Sequence, residues 1–351
     1  MGHEMELLMG DRTKTVIVIG GGPAGIEAAL GIARAGYRAL LVEKEPELGG
    51  TLNRLYSSFP RWENPRDLLD SKIGELRNCK DVMVMTNSVV TECRQTDAGY
   101  DLTVSNAQSG ESRNYPVDAA VLATGFDLMD ISVYGEYGYG IFPNVLTPLD
   151  FETKLKEWSH GEGEKPRSVA FFKCVGSRDR SKGRPYCSKI CCMYTAKQAG
   201  AVKEMFPESK VYVFYMDYRA AGKDYEEFVR DVIENRHVRY VRGRPAKVLP
   251  ENGRLLVRAE DTLMGLPVEV VVDLVVLASA VVPRPDTVRL AEMLGAQTDR
   301  YGFVEPQKHN PTRAGERVFF AGGCGFAVEA PFAQLQGSAA AAGVIALFNG
   351  G

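Results

Sequence analysis

Four of the seven cysteines fall between Lys173 and Cys192, spaced Cys174-x12-Cys187-x3-Cys191-Cys192. Four thiolates brought together suit a soft metal centre. The apolar run SVAFF ahead of Cys174 reads as a buried strand. The residues after Pro185, SKICCMYTAKQAGAVKEMF, read as a helix with the proline near its start. On that helix Cys187 and Cys191 stand four apart and share a face; Cys192 sits beside it, and Cys174 closes the set from the strand end. Residues 173–189 carry six Lys or Arg against one acid, Asp179. That excess, with the helix dipole, would lower the thiol pKa values and offset an anionic centre.

Three chemistries suit this segment. A 4Fe-4S cluster takes four thiolates as its normal shell, at spacings that vary. Structural zinc also takes four, but usually as two Cys-x2–4-Cys pairs, which adjacent Cys191 and Cys192 fit poorly. A redox-active disulfide or inert buried thiols form the third reading. The cluster is the preferred one.

The elements that would position this centre belong to an α/β chain. Its 351 residues suffice for two or three domains. A net charge of −3 gives no global basic field for nucleic acid. No bilayer-spanning run of about 18 apolar residues is expected. The start, MGHEMELLMGDRTK, lacks the basic end and apolar core of a signal peptide. Clustered thiols and an odd cysteine count fit a reducing compartment, so a cytoplasmic protein is expected.

Thr15–Ile19 reads as a buried strand, and GGGPAG then opens a helix-like run. Gly20, Gly22 and Gly25 form G-x-G-x-x-G in the strand–turn–helix setting that binds a dinucleotide pyrophosphate. A second strand ends at Glu43, placed to meet a ribose hydroxyl. Residues 83–124 read as a small β-meander, and ERVFFAGGCG near the C-terminus as a strand and turn before a final helix. A discontinuous first domain over 1–155 and 285–351 is expected, around a second Rossmann-like domain over 156–284. In the second domain the expected glycine-rich turn reads CVGSRD and runs straight into the cysteine segment. A nicotinamide site there is read as replaced by a metal site.

These motifs resemble those of two-dinucleotide-domain flavoproteins of the thioredoxin and disulfide reductase type. Beyond them, CVGSRD…GRPYCSKICCMYTAKQA, YMDYRAAGKDYEEF, VRGRPAKV and AQLQGSAAA resemble the A-type chain of heterodisulfide reductase from Thr15 to Phe348. The resemblance implies FAD against Gly20, Gly22, Pro23, Ala24, Gly25, Glu43 and Lys44, with Gly49, Gly50, Thr51 and Asn53 following. Val89, the ATG hinge of Ala123, Thr124 and Gly125, and the C-terminal Gly322, Gly323, Pro331, Phe332 and Ala333 complete that implied site. It also implies a 4Fe-4S cluster on Cys174, Cys187, Cys191 and Cys192, and service beside B- and C-type subunits. Fold relatives imply a homodimer in isolation.

Two departures matter. There are no ferredoxin-like Cys-x2-Cys-x2-Cys runs, and CGFAVEAPF stands in place of a Pro-Lys-Asp-type loop. The first implies at most one cluster and the second argues against electron bifurcation, and the chain resembles the short A-type chain of the heterodisulfide-reductase-like complex of sulfur oxidisers. Gly323 stands where many flavin reductases carry an aspartate. The rival readings are a self-sufficient NAD(P)H-dependent disulfide reductase, a non-catalytic flavin scaffold and a bifurcating subunit. Cys324 is read as a small buried residue rather than a flavin-side thiol. Cys79 and Cys93, His309, and Tyr215, Tyr218 and Tyr225 are read as packing or surface residues.

Overall fold

The computed structural model describes residues 14–350; the segment read as lacking a signal peptide lies, to residue 13, outside the described residues. The chain begins with β1 (Thr15–Ile19), α1 (Pro23–Arg34), β2 (Arg38–Val42), α2 (Pro65–Asn78) and β3 (Val82–Met85). Then come β4 (Ser88–Thr96), β5 (Gly99–Asn106), β6 (Ser112–Val117), β7 (Ala119–Leu122), β8 (Phe126–Leu128), β9 (Val145–Leu146) and α3 (Pro148–Ser159). The middle supplies β10 (Ser168–Val175), α4 (Cys191–Met205), β11 (Lys210–Tyr215), α5 (Tyr225–Glu234) and β12 (Arg239–Arg242). After it run β13 (Lys247–Glu251), β14 (Arg254–Asp261), β15 (Leu266–Val272), β16 (Leu274–Ser279) and β17 (Val281–Pro283). The end is α6 (Pro285–Leu294), β18 (Val318–Phe320) and α7 (Ala330–Phe348).

The elements divide into two units. The first runs to Leu52 and resumes over Leu69–Phe126 and from Pro283; the second is Asn53–Leu68 with Asp127–Val282. In the first, a parallel sheet of order β18-β7-β1-β2-β3 is covered by α1 and α7, and β4-β5-β6 form a separate antiparallel sheet. All five residues of β1 are buried, the continuous apolar run that a strand inside a parallel sheet requires. In the second unit the parallel order is β12-β11-β10-β16-β9, with β13-β14-β15 as a second, antiparallel sheet. Each parallel sheet has its earliest long strand at the centre, with β1 between β2 and β7, and β10 between β11 and β16. The carboxyl ends of β1 and β10 are therefore the switch points where ligands bind in open α/β sheets.

Three features differ from expectation. The units part at 126/127 rather than at 155/156, because β9 joins the second sheet beside β16 and α3 packs on α4. Segment 53–68 joins the same unit because Tyr56, Phe59 and Trp62 pack on its core. Second, α4 starts at Cys191, so Cys187 and Pro185 lie in the loop before it. Lys189 there has φ +54°, outside any right-handed helix, and Ser188 is tied to the Ser177 hydroxyl and to Val281 N. Third, α7 carries no charged residue over its 19 residues and is long and apolar enough to cross a membrane. Its buried side packs on α1, where Gly337 lies on the Ala24 carbonyl and Ala341 on Gly31. That is the position of a core helix.

Candidate functional site

At the end of β1 the chain turns through Gly20 (φ +115°) into α1, which starts with Pro23 at its first position and has no side-chain cap. Its first N–H groups are thereby left for an anion. A Cβ on Gly25 would run into the Gly20 carbonyl oxygen, so the helix closes on the turn only without a side chain there. A Cβ on Gly22 would meet nothing within 4 Å. Gly22 is thus a glycine that the protein's own packing does not require, as expected of a cradle kept open for a pyrophosphate.

The surrounding expected residues mostly converge on this turn. Gly49 N donates to Gly21 O at 2.7 Å, and a Cβ on Gly50 would lie 3.2 Å from Gly22 Cα. Buried Glu43 accepts from Gly21 N at 2.5 Å and from Glu45 N at 2.9 Å. A carboxylate has lone pairs beyond these two bonds, so Glu43 braces the turn and retains acceptors for a hydroxyl. Gly21, which the motif reading passed over, has room for no Cβ beside Leu48 and Glu43. Lys44 pairs with Asp286 at 3.4 Å. Thr51 lies in the short helical turn Gly50–Arg54. The hinge Ala123-Thr124-Gly125 follows β7, the Ala123 carbonyl packs on Gly20, and the Thr124 and Thr287 hydroxyls share a 2.6 Å hydrogen bond.

From the C-terminal segment, Gly322 (φ +77°) sits on Ala24, and its N–H is held by Gln336 Oε1 at 2.9 Å. Gln336 is a positioning group that the sequence did not single out. A Cβ on Gly323 would strike the Phe126 ring, so the expected aspartate position is filled from the neighbouring side. Pro331, Phe332 and Ala333 form the first turn of α7; Ala333 is buried, while Phe332 stacks edge-on with Phe326. Val89 is an exposed residue of β4. Asn53 belongs to the second unit, where its Oδ1 accepts from Arg66 at 3.0 Å. Cys324 is fully buried, donates to Leu122 O and Ala321 O, and is pushed up to about 11 by burial. It is a packing thiol.

The second switch point carries the cysteines. Cys174 is the last residue but one of β10 and has φ +59°, at a register shift between Phe172 and Val175. With Arg178 (φ +58°) and Lys189 (φ +54°) in the loop that follows, three non-glycine residues of this segment hold left-handed backbone. Such strain persists only where the surroundings enforce it, and it gathers at functional sites. Tyr134 and Arg244 hold the loop through buried Asp179, at 2.7 and 3.3 Å. Asp179 N and O also bond Arg184 across the loop.

Cys174, Cys191 and Cys192 are each buried, and the Cys191 thiol interacts with the sulfurs of both others. Those interactions, and then burial, push the Cys191 thiol well up. The Cys191 thiol in turn brings Cys174 down to about 7. The same donor, with Lys173 and Arg219 N at 3.3 Å, brings Cys192 down to about 5. Cys187 stands on the loop, accepts from Lys189 N at 3.3 Å, and shares the charge of Arg178 with Cys174. Among the described residues, no three His, Cys, Asp or Glu side chains are set to share one metal ion. Soft sulfur donors beside cationic groups are the donor chemistry that an iron–sulfur cluster takes.

One buried cation marks the site. Lys173, 5% exposed, has no hydrogen-bond partner for its Nζ, which faces the rings of Tyr215, Tyr218 and Tyr240. Its signal in the sequence is a lone charge inside the otherwise apolar run SVAFFKCV. Tyr225 lies elsewhere, edge-on to Phe59.

Comparison with known proteins identifies the class to which these elements belong. Residues 14–160 match the model of the pyridine nucleotide-disulphide oxidoreductase family. Thioredoxin reductase of T. acidophilum superposes with a TM-score of 0.65 at 17% identity, covering 96% of this chain and 99% of that one. An NAD-dependent persulfide reductase of A. fulgidus gives 0.61 at 20% identity, covering 94% and 58%. The fold is therefore that of the two-domain disulfide-reductase-like α/β oxidoreductases. In sequence the chain is 32% identical to the A-type iron-sulfur chain of the CoB–CoM heterodisulfide reductase of Methanocaldococcus jannaschii, over 83% of this chain and 57% of the relative. It is 31% identical to a second such A-type chain, from Methanopyrus kandleri, over 97% and 65%. Over most of its length the protein is a homologue of the A-type chain of heterodisulfide reductase, and it spans 57–65% of the length of these two relatives.

Proposed function

We propose that the chain is an electron-transfer subunit that holds FAD at the end of β1 and a 4Fe-4S cluster at the end of β10. It would serve a heterodisulfide-reductase-like complex with B- and C-type subunits, in cytoplasmic oxidation of sulfur compounds and without electron bifurcation. Bound FAD would supply two-electron exchange and the cluster one-electron exchange. Gly22 leaves room for the FAD pyrophosphate, the first N–H groups of α1 face it, and Glu43 retains lone pairs for the ribose. Cys174, Cys187, Cys191 and Cys192 would ligate the cluster, while the start of α4, Lys173 and Arg178 offset its negative charge. The observation that carries this reading is the burial of Cys174, Cys191 and Cys192 with a buried ammonium, Lys173, whose charge acts on Cys174 and Cys192.

Anaerobic purification with iron, sulfide, zinc and flavin analysis tests it. About four iron, four labile sulfide and one FAD per chain are expected, with iron lost and FAD kept in Cys191→Ser. Stoichiometric zinc without iron would refute the cluster. Co-purification from the native host, with subunits identified, tests the assembly.

A further inference from the structure

The Lys173 ammonium is almost enclosed in protein, has no partner of hydrogen-bond geometry, and acts on the Cys192 sulfur. Its Nζ lies 5.6 Å from the centroid of Tyr215 and 5.9 Å from those of Tyr218 and Tyr240. The rings meet one another at angles of 48–73°, so they wall the charge on several sides. Asp217, a carboxylate that feels the charge of Lys173, is taken by Arg178 at 2.6 Å. Cation–π attraction recovers only part of what an unpaired charge loses on leaving water. The cage alone does not balance the cation. What does lie beside it is the cysteine centre: Lys173 precedes Cys174 and its charge acts on Cys192.

We propose that Lys173, fixed by Tyr215, Tyr218 and Tyr240, is the charge that sets the reduction potential of the cysteine-held centre. The idea rests on the cluster reading above. One electron entering a 4Fe-4S cluster adds one negative charge and requires no proton. A cation kept out of water beside it stabilises the reduced form and raises the potential, since hydrogen bonding, net charge and solvent exposure set cluster potentials. The cage keeps water, and hence dielectric screening, away from that charge. Lys173 acts through the cluster and takes no part in bond making.

The test is an anaerobic potentiometric titration with dithionite and mediators, read by electron paramagnetic resonance, after iron analysis of each protein. Lys173→Met should make the cluster harder to reduce, by about tenfold in the reduced-to-oxidised ratio at fixed potential, or about 59 mV for one electron. Lys173→Arg should restore most of the difference. Tyr218→Ala, which opens the cage at its 37% exposed member, should shift the potential the same way by less. An iron-loaded Lys173→Met with an unchanged or higher potential overturns the proposal and leaves the cluster reading intact. An iron-free wild-type protein overturns the cluster reading itself, and this proposal with it. Should Lys173→Met fail to load iron, Tyr218→Ala decides: an unchanged potential there overturns the role of the cage.

Discussion

Lys197 Nζ lies 2.6 Å from Glu152 Oε1, and both side chains are 1% exposed. The pair is satisfied on both sides. Glu152 also accepts from Tyr56 N and Gln198 Nε2, and Lys197 donates to Ser57 O. Residues 56 and 57 sit on the segment that returns to the second unit from outside its main run, so the pair pins that segment to α3 and α4. Removing one partner strands the other charge in the interior, at a cost of about 3–5 kcal/mol. Lys197→Met should therefore lower thermal stability strongly. Lys197→Met with Glu152→Leu should recover most of the loss, because replacing a whole buried pair by apolar groups is often neutral. Calorimetric melting of the three proteins checks this, and equal melting of single and double variants would argue against the pair.

Two glycines of the same turn should fail in opposite ways. A methyl at Gly25 meets the Gly20 carbonyl, so Gly25→Ala should cost about 1–3 kcal/mol of stability from overpacking. A side chain at Gly22 meets nothing in the protein, so Gly22→Val should melt as the wild type does without cofactor. It should nonetheless purify colourless, because the side chain fills the space proposed for the pyrophosphate. Full FAD retention in Gly22→Val would remove this turn from the cofactor site.

How far the sequence led is visible at these positions. Gly20, Gly22 and Gly25 were legible because a strand, a turn and a helix share one short stretch whose chemistry is local. The parallel order around β1 followed from the same alternation of strand and helix. The start of α4 was misread because SKICC has helical spacing, while the left-handed backbone at Lys189 depends on Ser188 being held by Ser177 and Val281. Long-range contacts of that kind leave no periodicity. The Tyr cage was equally hidden: Lys173, Tyr215 and Tyr240 come from three neighbouring parallel strands, β10, β11 and β12, and Tyr218 from just beyond one of them. Only the lone lysine in an apolar strand hinted at it.

The Tyr134 hydroxyl donates to Asp179 at 2.7 Å. Burial first, and then that bond, push Tyr134 up to about 12 from an ordinary 10. A phenol whose folded pKa is raised adds stability that is whole below pH 10 and is lost as the pH climbs from 10 through 12. Tyr134→Phe should show a shallower loss of stability over that window than the wild type. It should also be less stable at pH 8, where the hydrogen bond is intact. Melting measured between pH 8 and 11.5 separates the two proteins, and parallel curves would dissociate the Tyr134–Asp179 bond from loop stability.

The second switch point bears on the electron donor. A reductase of this fold that uses a nicotinamide needs a glycine-rich turn after the central strand of its second unit, open enough for a pyrophosphate to lie on the backbone. Here the turn holds one such glycine, Gly176, and a Cβ there would run into Met129 Sδ. The space is filled by the protein itself. Beyond it the start of α4 is occupied by Cys191 and Cys192, so a pyrophosphate and the cysteine centre would compete for the same positive helix end. NADH or NADPH should therefore bleach the flavin of the isolated protein only very slowly, while dithionite and a reduced partner protein should do so readily. Anaerobic stopped-flow absorbance settles the point. Saturable reduction by NADH at ordinary turnover rates, about 1–1000 per second, would mean that a nicotinamide reaches the flavin by another face, and would restore the self-sufficient reductase.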